Sequence, residues 1–142
     1  MDSLALYREL GNKSGEAMVL LDLASAAIEQ ADPARAEPLY MQSLTLAWQV
    51  GDRRRAAFCL EGLGQIMADD EVEQATLYLS AAQHLREVLS APLPPSEQLP
   101  FDRTVAALKT ALGPAAFDAA WQRGVDSPLA EVVAQALRRE RG

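Results

Sequence analysis

The chain has 142 residues, 49% of them hydrophobic and 6% aromatic, and a net charge of −7. That length is one domain's worth of core. The first 95 residues carry 7 Lys/Arg against 14 Asp/Glu and residues 96–142 carry 6 of each, a balance that argues against a face built to grip a phosphate backbone.

Ala, Leu, Arg, Gln and Glu dominate, which favours helix, while Val, Ile and Thr are too scattered to write strands. Residues 2–10 predict a short amphipathic helix ending at Gly11, a good C-terminal glycine. Asn12 caps the next, about 13–30, with Ala17, Leu20, Leu21, Ala24, Ala27 and Ile28 at helical spacing. Asp32-Pro33 opens a third helix that runs to about Val50, with Gly51 as its stop. Pro38 lies inside it and predicts a bend near Ala34–Pro38. Asp52 caps a fourth helix to about Ala68, and a fifth runs from about Glu71 to Leu89. Four prolines in residues 91–100 predict a break rather than a helix. Three further helices follow, at about 101–112, 114–123 and 128–139, the second stopped by Gly124.

The chain also repeats itself. Leu6 to Leu10, Gly11, Asn12, Ala17, Leu20 and Leu23 recur as Leu46 to Val50, Gly51, Asp52, Ala57, Leu60 and Leu63. Self-similarity at about forty residues is the mark of a stacked helical repeat. Small and large positions recur as well: Leu20, Leu23-Ala24, Ala27, Ala36, Tyr40 and Ser43 in one unit, then Leu60, Leu63-Gly64, Met67, Ala75, Leu79 and Ala82 in the next. This pattern resembles the tetratricopeptide repeat, in a forty-residue form whose second helix is longer than usual. The resemblance implies an all-α fold: a right-handed superhelix of antiparallel helix pairs, with a half unit at 2–12, units at 13–51 and 52–90, a Pro-rich connector at 91–100 and capping helices over 101–142. Leu20, Leu23, Tyr40, Leu60, Leu63 and Leu79 are then expected in the core, and Phe101, Leu108, Phe117 and Trp121 over the open end of the fourth and fifth helices.

The proline-rich turn, the Phe117-x-x-x-Trp121 helix, Gly124 and the Ala-rich last helix are similar to the end of the repeat region in large bacterial ATP-binding regulators, including LuxR-type transcriptional activators. That resemblance implies a sensor or docking module attached to an effector elsewhere, so the chain is expected to be a piece of a longer protein. It implies a protein or peptide partner, including other domains of the parent protein.

Chemistry finds little footing. His84 is the sole histidine, so a His-based metal cluster or proton relay has no partner. Gly62-Leu63-Gly64 lies mid-helix, where close packing rather than a phosphate explains it. Asp69, Asp70, Glu71 and Glu73 lack the central glycine of a calcium loop and read as a solvated turn. Arg53-Arg54-Arg55 reads as a solvated face or a set of local ion pairs. Neither catalytic residues nor a cofactor are expected. Cys59, the one cysteine, has no intrachain partner, and no stretch reaches the length of a membrane span. Residues 1–20 carry charges throughout with no signal-peptide core. A cytoplasmic protein is expected, with no membrane and no direct nucleic-acid contact.

The repeat alignment assigns an inner face to Met18, Leu21, Asp22, Ser25 and Glu29 from the first unit, and to Phe58, Glu61, Gln65 and Asp69 from the second. Such a face suits a peptide with an apolar anchor and a basic flank. Its acids, Asp22, Glu29, Glu61 and Asp69, are expected to come to one side and attract a cationic partner, so that reversing Glu29 and Glu61 to Lys abolishes partner capture and leaves melting nearly unchanged. Two other functions fit the same sequence: self-association as a homodimer through the open first helix, and a small-molecule effector pocket between repeats and cap.

Overall fold

The computed structural model describes residues 2–141, with side chains through Arg138. It is all-helical, with no strand among the described residues. The helices are α1 (Ser3–Glu9), α2 (Lys13–Glu29), α3 (Pro33–Val50), α4 (Arg53–Met67), α5 (Val72–Leu89), α6 (Pro95–Leu112), α7 (Pro114–Asp126) and α8 (Leu129–Arg141).

Local chemistry explains where the first helices begin and end. Asn12, Asp32 and Asp52 each accept a hydrogen bond from a backbone N–H in the first turn of the helix they precede, at Gly15, Arg35 and Arg55. Gly11 and Gly51 take φ of 66° and 75°, left-handed values at which a side chain is strained. Connections this short turn each helix back on its predecessor.

Packing follows chain order through α5. The most extensive contacts are α2 with α3 and α4 with α5, and α3 packs closely on α4. Alanine and serine let these helices approach: Ala17, Ala24, Ala27, Ala36, Ser43, Ala47, Ala57, Ala75 and Ala82 are all fully buried or nearly so. The buried Ser43 hydroxyl donates to the Ala17 carbonyl at 2.7 Å, tying α3 to α2. Of the six expected core residues Leu20, Tyr40, Leu60, Leu63 and Leu79 are buried, while Leu23 is half-buried.

Three sequence expectations need correction after Leu89. Helix α6 starts at Pro95 and runs through Pro100, so only residues 91–94 connect it to α5. Pro95 sits at the first helical position, where the missing N–H has no intrahelical partner to lose. Pro100 forfeits one bond, as Pro38 does in α3, which likewise continues from Pro33 to Val50. Gly124 does not stop α7, which continues to Asp126. Instead it brings α7 onto α5, because a Cβ there would run into the Ser80 hydroxyl and the Leu77 carbonyl. As expected, Phe101, Leu108 and Phe117 are buried over α4 and α5, and Trp121, half-buried against the same core, stacks on Phe117 with ring centroids 5.6 Å apart. The last three helices do not close one end together. Helix α7 packs broadly on α5, and α6 touches α4, α5 and α7. Helix α8 instead returns to α3 and α5, burying Val132, Val133 and Ala136.

Candidate functional site

Helices α2 and α4 touch, and a groove of about 540 Å³ opens along them. From α2 it is lined by Met18, Leu21, Asp22 and Ser25, and from α4 by Arg54, Arg55, Phe58, Glu61, Gly62 and Gln65. Tyr40 from α3, Asp52 from the turn before α4, and Glu97 from the first turn of α6 complete it. Met18 and Phe58, Leu21 and Glu61, Asp22 and Gly62, Ser25 and Gln65 are each forty positions apart, so equivalent positions of the repeated segment meet in one groove.

Seven of the nine residues assigned to the inner face therefore come together: Met18, Leu21, Asp22, Ser25, Phe58, Glu61 and Gln65. Glu29 and Asp69 do not line the groove. Glu29 is the last residue of α2 and Asp69 lies beyond the end of α4, and both are exposed.

Glu61 differs from its sequence expectation. It is only 5% exposed, and its carboxylate is gripped by Arg86 of α5, which donates from Nε to Oε2 at 2.6 Å and from Nη2 to Oε1 at 2.9 Å. Arg86 also donates from Nη1 to the Ala91 carbonyl at 3.0 Å and lies over the Phe58 ring, 4.4 Å from its centroid. One buried guanidinium thus ties α4, α5 and the connector to α6 together. Burial pushes the Glu61 carboxyl above the usual carboxylate range, with Arg86 opposing. Glu61 is a structural acid, so reversing it to Lys would set two buried cations against each other rather than leave melting unchanged.

The arginine run divides three ways. Arg53 stacks over Trp48 at 4.0 Å, Arg55 pairs with Asp52, and Arg54 is exposed at the mouth of the groove. Among the described residues Asp22 and Glu97 make no ion pair. The floor is the Tyr40 phenol, which packs where Gly62 has no side chain: a Cβ at Gly62 would collide with the Tyr40 ring. Burial raises the Tyr40 phenol above its ordinary value, a hydrogen bond with Ser25 opposes this, and the charges of Glu97 and Glu61 add to the rise.

A second cavity, of about 590 Å³, lies on the other side of the Glu61–Arg86 pair. Leu93, Phe101, Gln98 and Asp102 line it, between the end of α5 and the start of α6. Among the described residues no three His, Cys, Asp or Glu side chains converge as a metal site, and no helix is long and apolar enough to cross a membrane.

The sequence reading missed Tyr40, Gly62, Asp52, Arg54, Arg55 and Glu97 as groove residues. Tyr40 and Gly62 carried a signal, an aromatic and a glycine at positions that meet across a helix pair. Glu97 carried none, since the prolines around it concealed a helix.

No known protein family, curated protein or solved structure matches this chain.

Proposed function

We propose that this chain is a non-catalytic binding module, of the tetratricopeptide-repeat type with its helix pairs stacked as a right-handed superhelix, in a bacterial signalling or transcription regulator, and that it takes a peptide or protein segment in the groove between α2 and α4. One observation carries the reading: equivalent positions of a forty-residue repeat line a single open groove that mixes apolar, hydroxyl, amide and charged side chains. Stacked repeats use the surface built by successive units in this way, because each unit contributes the same helix face. Met18, Leu21 and Phe58 supply the apolar anchor, and Ser25, Gln65 and the Tyr40 phenol supply hydrogen bonds to a backbone. The buried groups with shifted pKa, Tyr40, Cys59 and Glu61, hold structural positions, so the reading needs no reaction.

The test uses a displayed library of random short peptides selected against the whole chain. Ser25 is exposed on α2, so Ser25→Trp fills the groove from its rim, and an unchanged melting curve checks that losing the hydrogen bond with Tyr40 leaves the fold intact. Selected peptides are expected to bind wild type and Asp70→Lys alike and to lose binding to Ser25→Trp. Equal binding to Ser25→Trp, or no selected peptide at all, would overturn the reading. The second cavity favours a small-molecule effector as an alternative, because Leu93 and Phe101 give it an apolar wall beside a buried ion pair. That alternative expects fragment hits that raise the melting temperature of wild type and not of Phe101→Ala.

A further inference from the structure

The start of α6 borders the groove. Glu97, in the first turn of α6, lines it together with Glu61 and Tyr40, and α6 itself touches α4, α5 and α7. Its Phe101 and Leu108 are buried, which anchors α6 in place. A partner lying along α2 and α4 as far as Glu61 therefore reaches the first turn of α6. A volume of about 540 Å³ falls within the range of drug-sized pockets, about 300–1,000 Å³, and holds only a few residues.

Charge is also unevenly distributed within it. Arg55 is neutralised by Asp52, and Glu61 by Arg86. What remains is Arg54 near one end, and Asp22 and Glu97 towards the other. Arg54 and Glu61 are seven residues apart on α4, roughly 10 Å along the axis. The Glu97 carboxylate acts electrostatically on both Glu61 and Tyr40, which places it at the Glu61 end. There Arg86 is committed to Glu61 and to the Ala91 carbonyl, so among the described residues of the groove Glu97 and Asp22 are left as the carboxylates with no ion-pair partner. A cation arriving from outside is what that end lacks.

We propose that the groove accepts a short peptide segment that presents a lysine or arginine to Glu97 and Asp22. This rests on the groove being a peptide site, and it adds the partner's charge and a specificity-determining role for Glu97. The apolar part of the segment lies on Met18, Leu21 and Phe58, and its basic side chain points to the start of α6.

The test pairs each library-selected peptide with a version in which its basic residue is replaced by glutamine, measured by titration calorimetry on the whole chain. The glutamine version is expected to bind wild type roughly three- to tenfold more weakly. Glu97→Gln is expected to abolish that difference, and Glu97→Lys to reverse the preference. Raising salt should shrink it, since exposed charges are screened. Glu97 is exposed in the first turn of α6, so both variants keep the fold, and an unchanged melting curve checks this. Peptides that bind in the groove yet show no basic preference, or a preference that survives Glu97→Gln, would overturn this inference while leaving the groove a peptide site. Peptides that still bind Ser25→Trp would overturn both. If a second copy of the chain is the occupant, sedimentation will show a wild-type dimer that Ser25→Trp dissociates, which also overturns it.

Discussion

The Arg86 side chain joins three parts of the fold. It is 4% exposed, on α5, and its guanidinium binds Glu61 of α4, the Ala91 carbonyl and the Phe58 ring. Removing one member of such a pair leaves the other buried and uncompensated, at a cost of about 3–5 kcal/mol. Arg86→Met should therefore lower stability by that amount at neutral pH, measured by denaturant unfolding. It should also acquire a pH dependence. Without Arg86, the burial that raises the Glu61 carboxyl is unopposed. A folded-state value above the unfolded one means that the native state binds the proton more tightly. Stability is then fullest below the ordinary carboxylate value and is lost as pH rises through the raised one. The variant should thus recover part of its lost stability as pH falls through the weakly acidic range. A variant as stable as wild type at neutral pH would contradict the description of this pair. Cys59 gives a second check. Burial pushes its thiol up to about 12, so the nucleophilic thiolate is scarce at neutral pH. Alkylation of the native chain should proceed only as fast as unfolding exposes the side chain. Rapid labelling under native conditions would mean that the residue is not in the core.

At the scale of elements, helix starts were readable because capping is local. Asn12, Asp32 and Asp52 each face an N–H within three residues, so their role is written in adjacent sequence. Partners fixed by tertiary packing were not readable. Nothing near Glu61 announces Arg86, which is 25 residues away. Gly124 looks like a helix stop because glycine often is one, yet its value lies in the missing side chain that lets α7 meet Ser80 and Leu77 of α5. Gly64 makes a comparable approach, where a Cβ would lie 2.6 Å from Cδ2 of Leu79. The two should respond differently to alanine. At Gly64 the close atoms are Cδ2 and Cγ of the Leu79 side chain and the nearest carbonyl, of Ala75, stays at 3.4 Å, whereas at Gly124 a backbone carbonyl, which cannot swing aside, lies at 2.5 Å. Gly124→Ala should cost about 1–3 kcal/mol by denaturant unfolding, and Gly64→Ala less. The reverse order would mean that α7 can slide along α5 and that Gly124 does not set their separation. The early start of α6 was concealed for a related reason. Pro95 and Pro100 look like two breakers, but one starts the helix and the other costs it a single hydrogen bond.

For the whole molecule, the all-helical class and seven of the groove residues were legible, because the forty-residue repeat places equivalent helix faces side by side. The route of the last fifty residues was not. Helix α8 has a strong apolar stripe, but a stripe does not state which surface it will cover. It covers α3 and α5, and Val132 and Val133 are buried there. Each fully buried valine contributes about 1.5–3 kcal/mol. A chain ending after Ser127 should accordingly melt at lower temperature and bind a hydrophobic dye through the uncovered faces of α3 and α5. An unchanged melting temperature would show that α8 is not part of the folded unit. The groove lies apart from that surface, and this separation gives the most direct test of the binding account. Isotope-labelled chain titrated with a selected basic peptide should show amide shifts at Met18, Leu21, Asp22, Phe58, Gln65 and Glu97, with residues of α8 unmoved. Shifts confined to α8, or to the exposed Leu6 and Leu10 of the N-terminal end, would contradict it.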